Sequence, residues 1–205
     1  MSKHSRHFNH SRKIKMRDPR KRIYVLCEGK TEEGYFESFR RRGLNLRLEV
    51  QTAKHTDPDS MLQSAKQIIS KEELESGFDE MWCVFDLDVL ATDEQWRLIY
   101  SSASKHHVRL AYSNPCFELW YYLHFTYVSK KLDSRTVLSM LRTYLPDYEK
   151  NKDVAKAIRQ QLSKAIANAK QLSEYHNQKK MERRWTRRNP ETAVHELVQR
   201  LLLMD

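Results

Sequence analysis

The 205-residue sequence predicts an α/β fold, a mostly parallel sheet flanked by helices and followed by a helical C-terminal region. Three observations predict it. Two short, wholly apolar runs, residues 23–27 (Ile-Tyr-Val-Leu-Cys) and 81–85 (Met-Trp-Cys-Val-Phe), have the character of strands covered on both faces. Strand and helix patterns alternate between them and on to residue 112, which favours parallel pairing through crossover helices. Beyond Ser113 no strand pattern follows, and helical periodicity continues to Met204.

The elements follow in order. The first strand ends at Glu28-Gly29, and Thr31 is positioned to cap a helix running through Tyr35, Phe36 and Phe39 and stopped by Gly43. Leu44, Leu46, Leu48 and Val50 alternate with polar residues, the mark of a strand with one wet face. Asp57 and Pro58 suit the start of a helix that carries Met61, Leu62, Ala65, Ile68 and Ile69 on one side. The second apolar run closes on Asp86-Leu87-Asp88. A helix over 94–104 and a strand over 108–112 complete the α/β part. Further helices are expected over 115–128, with Asn114 as cap, and over 134–145, 153–176 and 190–203. The implied organisation is a basic arm (1–21), an α/β domain (22–128) and a helical extension (129–205).

Lys and Arg number 37 against 27 Asp and Glu, a formal charge of +10 that favours a polyanionic partner. Residues 1–22 hold nine of those cations against Asp18 alone, so the arm carries +8 of the total. A segment this polar cannot bury enough surface to offset its ordering entropy and is expected to be flexible when free, either as a solubilising tail or as a phosphate-gripping arm. No apolar run has the length of a membrane span, and the basic start lacks the apolar segment of a secretory signal, so a cytoplasmic protein without membrane association is expected. Cys27, Cys83 and Cys116 are far apart and lack CxxC spacing, so neither a zinc site nor a disulfide framework is indicated.

In a parallel sheet, ligands sit outside the carboxyl ends of the strands. Both acidic clusters fall there. Asp86 and Asp88 can turn toward one hard cation once the chain leaves the strand, the donor set that Mg2+ or Mn2+ takes. An Asp-x-Asp also fits helix-capping acids or a sugar-nucleotide site. Glu28 ends a different buried strand, and Glu32 and Glu33 open the next helix, so carboxylates from two strand ends would form one negative cluster. Acids in a first helical turn are favoured by the helix dipole in any case, which points to one of Glu32 and Glu33 as a supporting ligand without saying which. Gly29 permits close backbone approach, and the following helix start, with Lys30, offers donors to a phosphate. Glu118 falls near the same edge as an extra ligand or base, while Phe117, Trp120, Tyr121 and Phe125 form a buried stripe and His124 a structural histidine. Lys179, Lys180, Arg183, Arg184, Arg187 and Arg188 surround Trp185, a combination suited to gripping single-stranded nucleic acid or to a solvated loop.

Glu28-Gly29 after a first strand and Asp86-Leu87-Asp88 after a third resemble the Toprim domain of topoisomerases, bacterial primases and OLD-type nucleases, over about residues 22–113. The strings Cys27-Glu28-Gly29-Lys30-Thr31-Glu32-Glu33-Gly34-Tyr35-Phe36 and Ser113-Asn114-Pro115-Cys116-Phe117-Glu118-Leu119-Trp120 are similar to the RloB-like family, found beside restriction and abortive-infection genes, over most of the chain. The resemblance implies a Toprim/Rossmann-like sheet and a metal-dependent endonuclease of a prokaryotic antiviral defence system. It also implies Glu28 as general acid, base or ligand, Asp86 and Asp88 as magnesium ligands, and an ATPase partner protein. No tyrosine can be assigned as a topoisomerase nucleophile, so hydrolysis by activated water of DNA or RNA follows. A non-catalytic module, in which the acidic cluster holds metal structurally and the basic arm docks on nucleic acid or the ATPase, is the second expectation. A sugar-nucleotide transferase leaves Glu28 and the arm unexplained, and the helical half offers a surface for homo-oligomers.

Overall fold

The computed structural model describes residues 20–40, 46–87, 92–150, 152, 154–178 and 188–204. Its centre is a five-stranded sheet in the order β2-β1-β3-β4-β5, formed by β1 (Lys21–Cys27), β2 (Leu46–Thr52), β3 (Glu80–Asp86), β4 (Val108–Asn114) and β5 (Glu191–Thr192). The first four strands are parallel and β5 is antiparallel to β4. The sequence therefore predicts the parallel sheet correctly. Strand β1 begins at Lys21, which was expected to close the arm.

The wholly apolar strands follow from layers on both faces. Along β1, Ile23, Val25 and Cys27 enter one core and Tyr24 and Leu26 the other. The second core is closed by α2 (Pro58–Lys71) and α3 (Asp93–Lys105), through Met61, Leu62, Ala65, Trp96, Ile99 and Ala103. Both helices start on side-chain caps that local sequence encodes. Asp57 accepts from Ser60 N, with proline in the first turn, and Thr92 and Gln95 form a reciprocal capping box.

The first core gathers α1 (Lys30–Glu37), α4 (Glu118–Leu123), α5 (Ser134–Arg142), α6 (Ala155–Ile158), α7 (Leu162–Gln178) and α8 (Val194–Leu202). One continuous apolar layer thus joins the α/β part to the helical extension. Tyr35 meets Phe117 edge-on at 5.7 Å and Tyr121 in a tilted pair at 5.6 Å, and Phe36 meets Phe117 edge-on at 6.2 Å. Such pairs contribute about 0.5–1.5 kcal/mol each beyond area burial, and here they clamp α1 to α4.

Five local expectations are corrected. Helix α1 starts at Lys30 on Gly29, without a side-chain cap, because the chain turns directly out of β1; Thr31 lies inside its first turn, where its carbonyl accepts the Tyr121 hydroxyl at 3.3 Å. The expected helix over 115–128 is regular only from Glu118 to Leu123, with i→i+3 bonds tightening both ends. Asn114 caps nothing, since its amide donates to Arg188 O (2.8 Å) and its carbonyl accepts from Asn189 Nδ2 (3.1 Å). Finally, the C-terminal region holds a strand after all. Glu191 and Thr192 pair with Asn114 and Ser113, a stretch too short for any periodicity to register. The expected helix over 153–176 is also divided, by a 3-10 turn at Arg159–Gln161.

Candidate active site

The carboxyl ends of β1 and β3 are neighbours at the point where the chain's crossovers diverge, β1 leading outward to β2 and β3 leading the other way to β4. Such a switch point opens a crevice between strand ends. Glu28 and Asp86 stand on its two sides. The Glu28 backbone N–H continues the ladder to Val84 O at 2.9 Å, and its Oε2 accepts the Asp86 N–H at 2.8 Å across the gap. Asp88, the remaining acid of the expected triad, lies outside the described residues.

The structure distinguishes Glu32 from Glu33. On α1, Glu32 shares the buried face of Tyr35 and Phe36, while Glu33 is turned out to pair with Lys30. Burial first, then the charges of Glu28 and Glu118, push the Glu32 carboxyl up to about 7. Its Oε2 is buried without a hydrogen-bond partner. Glu33 moves the other way: burial alone would raise it, but the Lys30 ammonium and the hydrogen bonds of Thr52 together outweigh that and hold it below the usual range. Lys30, expected on phosphate, is thus engaged with Glu33.

Gly29 makes room for this arrangement. A Cβ there would stand 3.0 Å from Glu32 Oε2. Because the obstructed atom ends a flexible side chain, Gly29→Ala should fold normally, with a melting temperature within a few degrees of the parent's, yet swing the Glu32 carboxylate away. The expected loss in any activity of the centre is about tenfold, read as kcat with KM little changed.

Glu118 enters from α4 and is 3 % exposed. Its Oε1 accepts the Tyr148 hydroxyl at 3.1 Å, from the loop after α5, and that hydroxyl's own pKa is raised by burial and by the Glu118 charge. Cys116 is within reach of the charges of both Glu118 and Asp86; burial, followed by those two charges, keeps its thiol protonated. The couplings therefore run from Asp86 to Glu28, from Glu28 to Glu32, from Glu32 to Glu118 and back through Cys116 to Asp86. Neither Glu32 nor Glu118 forms an ion pair among the described residues.

Repelling carboxylates in a partly dry crevice, one with an unsatisfied oxygen, have the donor chemistry of a site for a hard divalent cation. Glu28, Glu32, Asp86 and Glu118 are the residues that would hold it. Among the described residues, no three His, Cys, Asp or Glu side chains are spaced to enclose a metal ion.

The profile of the RloB-like protein family matches residues 23–201. The chain belongs to the RloB-like family. No curated protein and no solved structure gives a match. Within the RloB-like span lie all four described acids and the two strings on which the resemblance rests.

The remaining expected residues sit as follows. Lys179, Lys180, Arg183, Arg184 and Arg187 lie outside the described residues. Arg188 is held by Glu191 (3.3 Å) and Asn177 (2.9 Å). The next residue, Asn189, bonds to both backbone groups of Leu132 at 2.8 Å and to Asn114, which stitches this segment to the carboxyl edge of the sheet. His124 is buried, bonded through Nδ1 to Trp120 O at 2.9 Å, and driven down to about 4 by burial; it is a neutral structural group. The three cysteines are free and buried. No described helix is long and apolar enough to cross a membrane. Tyr148 had no signal in sequence as a member of the centre, because it belongs to no periodic or charged pattern, and Cys116 had none beyond its place in the second of those strings.

Proposed function

We propose that this RloB-like chain is a Toprim-type, magnesium- or manganese-dependent endonuclease that hydrolyses phosphodiester bonds of DNA or RNA in a prokaryotic defence system. The observation that carries the reading is the hydrogen bond from Asp86 N to Glu28 Oε2, which brings acids 58 positions apart to one crevice. Glu32 and Glu118 extend that pair into a cluster whose mutual repulsion a divalent cation would relieve. A bound ion would supply Lewis-acid stabilisation of the phosphate oxygens.

Within that frame the protein groups have distinct tasks. Glu28 takes a proton from the attacking water, whose oxygen forms the new bond to phosphorus as the nucleotide oxygen departs with a proton from solvent. Tyr148 holds Glu118 in place by its hydroxyl. The basic arm and the run over 179–188 supply phosphate contacts, and an ATPase partner and a cytoplasmic setting complete the reading. The second reading is a non-catalytic module that binds nucleic acid or the ATPase partner and in which the acidic cluster holds a metal structurally, favoured by the deep burial of Glu32 and Glu118.

Labelled DNA and total tRNA, incubated with the protein and Mg2+ or Mn2+ with and without the partner ATPase, separate the two. Cleavage that disappears in Asp86→Ala supports the enzyme. Nucleic-acid binding that survives in Asp86→Ala, with no cleavage by either protein, supports the module.

A further inference from the structure

The charge of the chain is unevenly divided. Residues 22–128, which carry the acids of the candidate active site, hold seventeen Asp and Glu against twelve Lys and Arg, whereas residues 129–178 hold ten Lys and Arg against five Asp and Glu. A phosphodiester approaching Glu28, Glu32, Asp86 and Glu118 therefore meets repulsion from the part of the chain that would cut it. The helical part has the opposite sign, and it touches the centre through Tyr148.

That residue faces two ways. Its hydroxyl bonds Glu118 Oε1 at 3.1 Å, and its ring meets Tyr121 edge-on at 5.9 Å. It also borders an open groove of about 630 Å3 on the loop between α5 and α6, together with the cations Arg142, Lys150 and Lys152 and the carboxylates Asp147 and Glu149. One tyrosine thus separates the groove from the acidic centre.

The cations of the groove keep most of their donors. Arg142, in the last turn of α5, engages Nε, which donates to Tyr148 O at 3.3 Å; its terminal nitrogens have no partner among the described residues. Lys152 Nζ donates to the carbonyl of Asp147 at 2.8 Å and not to its carboxylate. Lys150 has neither a hydrogen bond nor an ion pair among the described residues, and Asp147 and Glu149 form no ion pair there either. All five side chains are exposed. Three positive charges against two negative ones leave the groove at +1 among the described residues. That surplus matches the single negative charge of one phosphodiester, and the guanidinium fork and two ammonium groups supply the donors that its oxygens accept.

We propose that this groove holds a phosphodiester of the nucleic-acid strand beside the bond that the acidic centre cuts, on Arg142, Lys150 and Lys152, an inference that rests on the endonuclease reading. Tyr148 joins grip to centre, with its hydroxyl on Glu118 and its carbonyl on Arg142.

The test measures binding apart from cleavage. Labelled single-stranded and duplex DNA and RNA oligonucleotides are titrated with the full-length protein by fluorescence anisotropy, without divalent ions, over about 50–200 mM salt. The parent should bind at least one of them. Replacing the groove lysines together, Lys150→Ala with Lys152→Ala, should weaken that binding about fivefold at the lowest salt. It should also reduce the steepness of log affinity against log salt by about 0.7–0.9, as expected for one neutralised phosphate. Glu149→Gln removes an opposing charge and should tighten binding about twofold. Lys71→Ala with Lys105→Ala takes the same charge from the ends of α2 and α3, at the opposite edge of the sheet, and should change affinity by less than about twofold. Every side chain replaced is exposed, so folding is not at issue. The proposal is overturned if no oligonucleotide binds the parent, if the groove pair keeps parental affinity, or if the opposite-edge pair loses as much. Groove-dependent binding with no cleavage in Mg2+ or Mn2+, alone or beside the partner ATPase, would support the groove and overturn the endonuclease reading alone.

Discussion

Glu28→Gln should abolish divalent-dependent cleavage of nucleic acid, lowering kcat about a thousandfold or more, while leaving the fold intact. The two halves of that expectation have separate causes. The glutamine carbonyl can still accept the Asp86 N–H that Glu28 Oε2 accepts at 2.8 Å, so the link between the strand ends survives. What disappears is a negative charge and a basic oxygen at the mouth of the crevice. General acid–base catalysis is worth about 10²–10⁴-fold, and loss of an anionic ligand adds to it. Cleavage assays across Mg2+ and Mn2+ concentrations, beside a melting curve, check both halves. A variant that melts with the parent and cuts as fast would remove Glu28 from the chemistry.

The second large effect has opposite signs for stability and activity. Glu32 is a carboxyl raised from 4.5 to about 7 in the folded chain, chiefly by burial and secondarily by Glu28 and Glu118. A raised carboxyl pKa means that the folded state binds the proton more tightly than the unfolded chain, so this group favours folding fully below the unfolded value. That contribution is lost as pH rises to about 7. Above pH 7 the buried charge costs about 3 kcal/mol. Glu32→Gln removes the titration. At pH 8 and without divalent ions the variant should melt several degrees above the parent, and near pH 4 the difference should vanish. Mn2+ should raise the parent's melting temperature more at pH 8 than at pH 6, and raise the variant's less. Activity should fall, since the group that burdens the fold is the one turned into the centre. A variant less stable than the parent at pH 8 would contradict the placement of Glu32.

How much of this was legible follows from which residues repeat and which do not. β1 and β3 announced themselves because both faces are covered, leaving no polar residue to break the apolar runs, and the acids that end them stood out by contrast. The cap at Asp57 is short-range and was expected; the Thr92–Gln95 box is equally local, although only the helix it starts was expected. The choice between Glu32 and Glu33 was also within reach. Helical phase puts Glu32 on the side of Tyr35 and Phe36, and a lysine three residues before Glu33 gives it a solvent-side partner. Tyr148, Asn114 and β5 were not legible. Each acts through long-range hydrogen bonds, to partners 30, 74 and 79 positions along the chain among others, and contacts that distant leave no periodic trace.

The late return of the chain to its own sheet limits how it can be divided. Thr192 fastens to Ser113 and Tyr112, and Val194, Leu197, Val198 and Leu201 then roof the layer that α1 and α4 share. A fragment stopping after β4 would keep the acids of the crevice in its sequence, except Glu118. It would also present an unpaired β4 edge and a stripped apolar face to water, a surface that seeks other chains. The acidic centre is therefore a property of the whole polypeptide, and a transplanted front half would aggregate before it could act.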